Sequence, residues 1–215
     1  MLPHPTLERL TGMGFAGMAR AFTELAGNAE ADRLTHPEWL GLLLDREWSF
    51  RHDRKLAARL RFAKLRHQAT PEDVDYRSGR GLDRALFMKL VAGDWIAKHD
   101  SLVITGPTGV GKSWLACALG HKACRDDRSV LYQRVPKLFA SLALARGDGR
   151  HARLQRTLGS VQLLILDDCW GGRLPTASRC ARVVSLQDSH EGAARDRHYP
   201  HWPRHVKERL SAAWC

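Results

Sequence analysis

No stretch of the chain approaches the roughly 20 consecutive apolar residues that span a bilayer, which excludes a membrane-spanning helix. The opening Met1-Leu2-Pro3-His4-Pro5 lacks the charged and apolar regions of a secretory leader. Cysteines are few, five at positions 117, 124, 169, 180 and 215, and none forms a C-x-x-C pair. An odd, scattered set of this kind excludes a disulfide framework and reads as reduced thiols, so a cytoplasmic location is expected. His198, His201 and His205, with Cys215 nearby, match no closed four-ligand zinc spacing, and no metal site is assigned to them. Internal repeats are absent, which excludes solenoids and propellers. Acidic residues are outnumbered, 23 against 34 basic, for a formal net charge of +11. That excess favours polyanionic partners, nucleic acid or an anionic membrane surface.

What is present divides into two grammars. A length of 215 residues allows one full α/β domain and a smaller appended segment. Residues 5–95 read as helical. Thr6–Ala26 carries Leu7, Leu10, Phe15, Met18, Phe22 and Leu25 at helical spacing, weakened by Gly12, Gly14 and Gly17. His36-Pro37-Glu38 opens a long helix to about Gln68, with Pro37 in its first turn. Thr70 starts a short helix, and Arg77–Gly81 links it to another at Leu82–Ala92. From residue 101 short apolar runs alternate with helical ones. Strands are expected at Ser101–Thr105, Val130–Gln133 and Val161–Leu166, with helices from Lys112 to about Arg125 and over Val135–Arg146. Alternation of this kind implies a parallel sheet with crossover helices. Beyond Asp168 the pattern dissolves, leaving Arg182–Gln187 as a strand-like piece and Lys207–Trp214 as a weak helix.

The loop between the first strand and its helix carries the chemistry. Gly106-Pro107-Thr108-Gly109-Val110-Gly111-Lys112-Ser113 matches G-x-x-x-x-G-K-[ST] in full, after an apolar strand and at the start of a helix. The glycines let backbone N–H groups turn toward phosphates, and the helix N-terminus adds the positive end of its dipole. ATP with Mg²⁺ is the expected cofactor. Its contacts are expected from those eight residues and Trp114, with Lys112 reaching the β- and γ-phosphates and the Ser113 hydroxyl on the metal. Leu163-Leu-Ile-Leu-Asp167-Asp168 reads as a buried strand that delivers carboxylates to the C-terminal edge of the sheet. Asp167 is expected to hold Mg²⁺ through water, and Asp168, with Lys112 the second catalytic candidate, to orient or deprotonate the attacking water.

Arg46–Arg66 holds eight Arg or Lys and two acids. On a helical wheel Trp48, Leu56, Leu60 and Ala63 gather on one side, with Arg51, Arg54 and Arg61 opposite. That outer face is the expected grip on phosphates of duplex DNA. The alternative is an ordinary solvated face.

Gly93-Asp-Trp-Ile, the run from Leu102 through the phosphate loop to Gly120, Val130-Leu-Tyr-Gln-Arg-Val-Pro, Leu142-Ala-Leu-Ala-Arg and Leu163-Leu-Ile-Leu-Asp-Asp together resemble the IstB-like ATP-binding family. These are the ATPase helpers of a class of bacterial insertion sequences, related to replicative helicase loaders. The resemblance covers about residues 5–168. It implies an α/β P-loop NTPase fold of the AAA+ type, with a helical, basic N-terminal domain at 1–78 and the ATPase core at 79–168. It also implies ATP-dependent assembly into homo-oligomers on DNA, and cooperation with the transposase of the same element. The alternatives are a helicase loader and a non-hydrolysing fragment that binds DNA or transposase. In the family the two Asp are followed by Trp-Gly-Leu, a sensor strand, an arginine finger and a small helical lid. Here Cys169-Trp-Gly-Gly-Arg-Leu-Pro-Thr follows, which reads as a truncation or frameshift, with 169–215 a divergent, poorly ordered tail. The sheet is therefore expected to be incomplete at its C-terminal side unless Arg182–Gln187 fills the sensor-strand position, and ATP turnover is expected to be slow.

Overall fold

The structure, a computed structural model, describes residues 4–29, 31–77, 82–168 and 182–188. It falls into two compact units, Met1–Ala58 and Arg59–Cys215, with the division inside one long helix.

The first unit holds α1 (Pro5–Gly12), α2 (Ala16–Ala26) and most of α3 (His36–Ala63). The single helix expected over Thr6–Ala26 is broken. Gly14 takes a left-handed φ of 78°, and the N–H groups of Met13 and Gly14 close α1 on the carbonyls of Arg9 and Thr11. A short 3₁₀ turn at Ala31–Arg33 leads to α3. At its start the Glu38 carboxylate reaches back to Thr35, accepting from its N–H at 2.8 Å and its hydroxyl at 2.6 Å, the Glu arm of a capping box. α2 lies tightly on α3 at Gly17, where an added Cβ would stand 2.8 Å from the Arg46 carbonyl, Glu47 Cα and Phe50 Cβ. Under this contact Glu47 is buried. It accepts the Met18 N–H at 3.0 Å and Arg51 Nε at 2.6 Å. Burial works against its charge, but the Met18 amide and Arg51 outweigh it and hold the carboxyl below the usual range.

Two readings of α3 are corrected. Trp48 does not join the buried side; it is 69% exposed and stacks on His52 one turn later, ring centroids 5.4 Å apart. The buried positions there are Leu43 and Glu47, and α2 packs on the helix at Glu47. The helix also ends at Ala63, short of Gln68, because Lys64 turns left-handed at φ 52°.

In the second unit the short helix expected from Thr70 is a 3₁₀ turn at Pro71–Asp73. α4 (Arg84–Ala92) starts at an Asp83 cap, whose Oδ1 accepts the Ala85 N–H at 2.8 Å, and stops at Gly93, φ 79°. A one-turn α5 (Asp94–Ala97) follows, which the sequence reading lacks. Then come β1 (Leu102–Gly106), α6 (Lys112–Arg125), β2 (Val130–Arg134), α7 (Val135–Gly147), α8 (His151–Ser160), β3 (Leu163–Asp167) and β4 (Arg182–Asp188). α8 is the other helix that the sequence reading lacks.

The four strands form one parallel sheet in the order β1-β4-β3-β2. β3 is buried along its whole length, as a continuous apolar run in a parallel sheet must be. Its alternate residues serve two layers. Ile165 meets α6, where a Cβ on Gly120 would come within 2.8 Å of its Cδ1. Leu164 and Leu166 join Leu131, Val135, Leu138 and Val161 in a core covered by α7 and α8. Helices thus flank both faces, the P-loop NTPase architecture. β4 sits between β1 and β3, pairing Val184 with both Leu102 and Ile165. Of the two alternatives for the central seat, the structure has Arg182–Asp188 filling it, and backbone groups on β1 and β3 gain ladder partners.

Lys207–Trp214, the His198, His201, His205 and Cys215 group, and residues 169–181 lie outside the described residues.

Candidate nucleotide site

The C-terminal ends of β1 and β3 bring the loop and the acidic pair together. Gly109 and Gly111 take φ of 89° and 95°, left-handed values that only glycine adopts without strain. At Gly109 an added Cβ would meet nothing within 4 Å, so backbone conformation and not space requires glycine there. Gly111 is also the N-cap of α6 and provides no side-chain cap. The first-turn amides of α6 therefore point out of the helix end toward the loop. Trp114 lies half-buried in that first turn, while Pro107, Thr108 and Gly109 are exposed.

Among the described residues the buried charged side chains are Glu47, Lys112 and Asp167, so two of the three stand at this edge. Lys112 Nζ donates to the carbonyls of Gly106 at 2.9 Å and Pro107 at 2.7 Å, folded back across its own loop. Ser113 Oγ donates to Asp167 Oδ2 at 3.0 Å, across 54 residues of chain. Two further groups converge on the same carboxylate oxygen, and neither was visible in the sequence. The Tyr132 hydroxyl donates to it from the neighbouring strand β2, and Arg66 Nη1 lies 3.6 Å from it. Burial first, then the bond to Asp167, push the Tyr132 phenol well above its ordinary range, so it stays a donor. Asp167 Oδ1 accepts the Asp168 N–H at 2.9 Å.

Asp168 is arranged differently. At φ 59° it leaves the strand direction, and its carboxylate pairs with Arg134, at 2.6 Å from Nε and 2.5 Å from Nη2. The two adjacent acids are thereby separated, one buried beside Ser113 and one at the surface with a guanidinium.

Among the described residues no cluster of three or more His, Cys, Asp or Glu forms a metal cage. Mg²⁺ carried in with a nucleotide needs none, since it keeps waters and takes one or two carboxylates plus phosphate oxygens. A hydroxyl and a buried carboxylate 3.0 Å apart, beside a glycine loop and a buried ammonium, would suit that guest.

The basic candidates on α3 are not equivalent. Arg54 and Arg61 are exposed. Arg51 is engaged, bonded to Glu47 at 2.6 Å and lying over the Phe15 ring at 5.1 Å. No helix among the described residues is long and apolar enough to cross a membrane.

Comparison with known proteins gives this geometry a family. A Sinorhizobium fredii protein named as an insertion sequence ATP-binding protein, y4pL, is 80% identical over 171 residues, covering 80% of this chain and 69% of that protein. A Pseudomonas fluorescens protein, named as the ATP-binding protein of insertion sequence IS1162, is 47% identical over 172 residues, covering 80% of this chain and 74% of that one. Among solved structures, AMPPCP-bound DnaA from Aquifex aeolicus is similar at TM-score 0.48 and 20% identity, over 59% of this chain and 44% of that one. The model of the IstB-like ATP binding protein family matches residues 8–187, so the likeness runs past Asp168 and through most of β4. With the complete phosphate loop, its partner carboxylate and a match over most of its length, the chain belongs to the IstB-like ATP-binding family.

Proposed function

We propose that this chain is an ATP-binding helper for DNA transposition, which binds duplex DNA and recruits or activates the transposase of its own element. The observation that carries the nucleotide part is the Ser113–Asp167 contact beside Lys112. A hydroxyl, a carboxylate and an ammonium stand together at one loop, which supports triphosphate binding there. Backbone N–H groups of residues 108–111 and the α6 N-terminus would cradle the phosphates. Lys112 would exchange its two carbonyl partners for phosphate oxygens. Ser113 and Asp167 would hold Mg²⁺, which neutralises charge on the β- and γ-phosphates when bound. Asp168 would orient the attacking water once it leaves Arg134, with which it is paired here.

The family match supports the transposition context, as do relatives whose names tie them to insertion sequences. The basic excess and the exposed Arg54 and Arg61 support a DNA-binding face. The test is binding of a fluorescent ATP analogue to the purified protein and to Lys112→Ala. Saturable, Mg²⁺-dependent binding that Lys112→Ala abolishes is expected; equal binding by the variant would overturn the site. Pull-down of the transposase encoded beside this gene, with ATP and DNA present, tests the partner.

A further inference from the structure

The Arg66 contact goes beyond the nucleotide-binding pattern. Asp167 is 3% exposed, and an ionised carboxylate so enclosed needs a compensating positive charge or a full set of donors. Its Oδ2 takes hydroxyl donors from Ser113 and Tyr132. Among the described residues, the cation shown in an ion pair with it is Arg66, at 3.6 Å.

The surroundings of Arg66 separate its backbone from its side chain. Lys64 ends α3 with a left-handed turn, and Leu65 packs against Gly120 of α6. The backbone of His67 and Arg66 lies close enough to the buried Cys117 thiol of that helix to offset part of the upward push that burial gives it. Ala69 is fully buried. The main chain of this stretch is thus anchored on the helix that follows the phosphate loop. The Arg66 side chain is 49% exposed and able to swing outward.

A divalent cation between Ser113 and Asp167 would place two positive charges beside a guanidinium that shares the same carboxylate oxygen. Like charges at that separation repel, which disfavours keeping both in place on one carboxylate oxygen. We infer that Arg66 is the resident counter-ion of Asp167 in the metal-free protein, and that it gives way as Mg²⁺ enters with the nucleotide. Arg66 thereby sets the Mg²⁺ concentration the site requires. The inference rests on the reading of Ser113 and Asp167 as the metal-holding pair. Arg66 acts through Asp167 and is a positioning residue.

The experiment is a Mg²⁺ titration of fluorescent ATP-analogue binding, using the full chain and three variants, with folding of each checked by circular dichroism. Arg66→Gln removes the competitor. Its half-saturating Mg²⁺ is expected to fall about threefold, the scale of a half-exposed ion pair, with analogue affinity at saturating Mg²⁺ unchanged. Arg66→Lys keeps the charge and is expected to stay near the parent. Ser113→Ala is expected to need more Mg²⁺. An unchanged or raised requirement in Arg66→Gln, with Ser113→Ala raised, would overturn the role of Arg66 alone. An unchanged requirement in both would overturn the metal pair and the inference with it. A drop in Arg66→Lys equal to that in Arg66→Gln would show that charge is not the cause, and would also overturn it.

Discussion

Arg134 closes on Asp168 at 2.5 Å across the ends of β2 and β3, while Asp167, one residue earlier, turns inward to Ser113 at 3.0 Å. Two neighbouring carboxylates therefore have different surroundings, and substitutions should tell them apart. Asp167→Asn is expected to weaken Mg²⁺-dependent ATP binding by about ten- to a hundredfold, the usual cost of disturbing a group that positions a metal. Asp168→Asn should leave binding within about threefold, because the partly exposed pair it breaks is worth less than about 1 kcal/mol. Equal losses in the two variants, measured by calorimetric titration, would reject the division of roles.

The basic face of α3 should bind duplex DNA without sequence preference, and its arginines should contribute unequally. Arg54→Ala and Arg61→Ala are each expected to lower the slope of log affinity against log salt by about one. Arg51 is held by Glu47 and Phe15. Arg51→Ala should change that slope less and lower thermal stability, since it leaves the buried Glu47 without its guanidinium. Fluorescence anisotropy over a salt series decides this; a flat salt response in the parent would sink the DNA reading.

The same substitution should act with opposite sign at two glycines of the first unit. A methyl group at Gly17 would strike the α3 backbone at 2.8 Å, which cannot move aside as a side-chain tip could. Gly17→Ala is expected to destabilise by about 1–3 kcal/mol. Gly41 lies inside α3 with nothing within 4 Å of an added Cβ. Gly41→Ala should stabilise by about 0.5–1 kcal/mol, the helix-propensity difference. Urea melts of the two variants check both signs, and a Gly17→Ala protein as stable as the parent would contradict the close contact.

Arg125 holds Glu72 at 2.6 Å and lowers its carboxyl from an ordinary 4.5 to about 2. A carboxyl depressed on folding contributes stability that is present above its unfolded value and lost as the pH falls toward its folded one. The stability difference between parent and Glu72→Gln should therefore be constant from pH 8 to about pH 5 and shrink between 4.5 and 2. Both side chains are largely exposed, so its size should stay below about 1 kcal/mol. A difference that persists undiminished at pH 3 in denaturant titrations would contradict the linkage.

Much of this was legible in the residues because local rules and global fold agree there. The phosphate loop announces itself by glycines that backbone geometry demands, and α6 begins at Lys112 as read. The β3 run is apolar throughout because both its faces are covered. Other features depend on contacts that sequence does not display. His151–Ser160 has polar residues at most positions and becomes α8 by laying Leu158 on the core. Trp48 looked apolar and therefore inward, yet α2 covers the neighbouring stripe through Gly17. Tyr132 and Arg66 reach Asp167 only because strand order and the turn at Lys64 bring them there, and no local pattern marks either residue.

The seat of β4 has a consequence for the order in which the sheet is made. During synthesis β1, β2 and β3 emerge first, and the strand that joins β1 to β3 comes last. Until Arg182–Asp188 arrives, β1 and β3 present unpaired edges of the kind that invite pairing with other chains. Closing them requires a contact between Leu102 and Val184, ends far apart in the chain, so completion is slow compared with the forming of the helices. The phosphate loop hangs from β1 and the carboxylate from β3. A chain that ends before residue 182 thus carries both halves of the nucleotide site without the strand that pairs them.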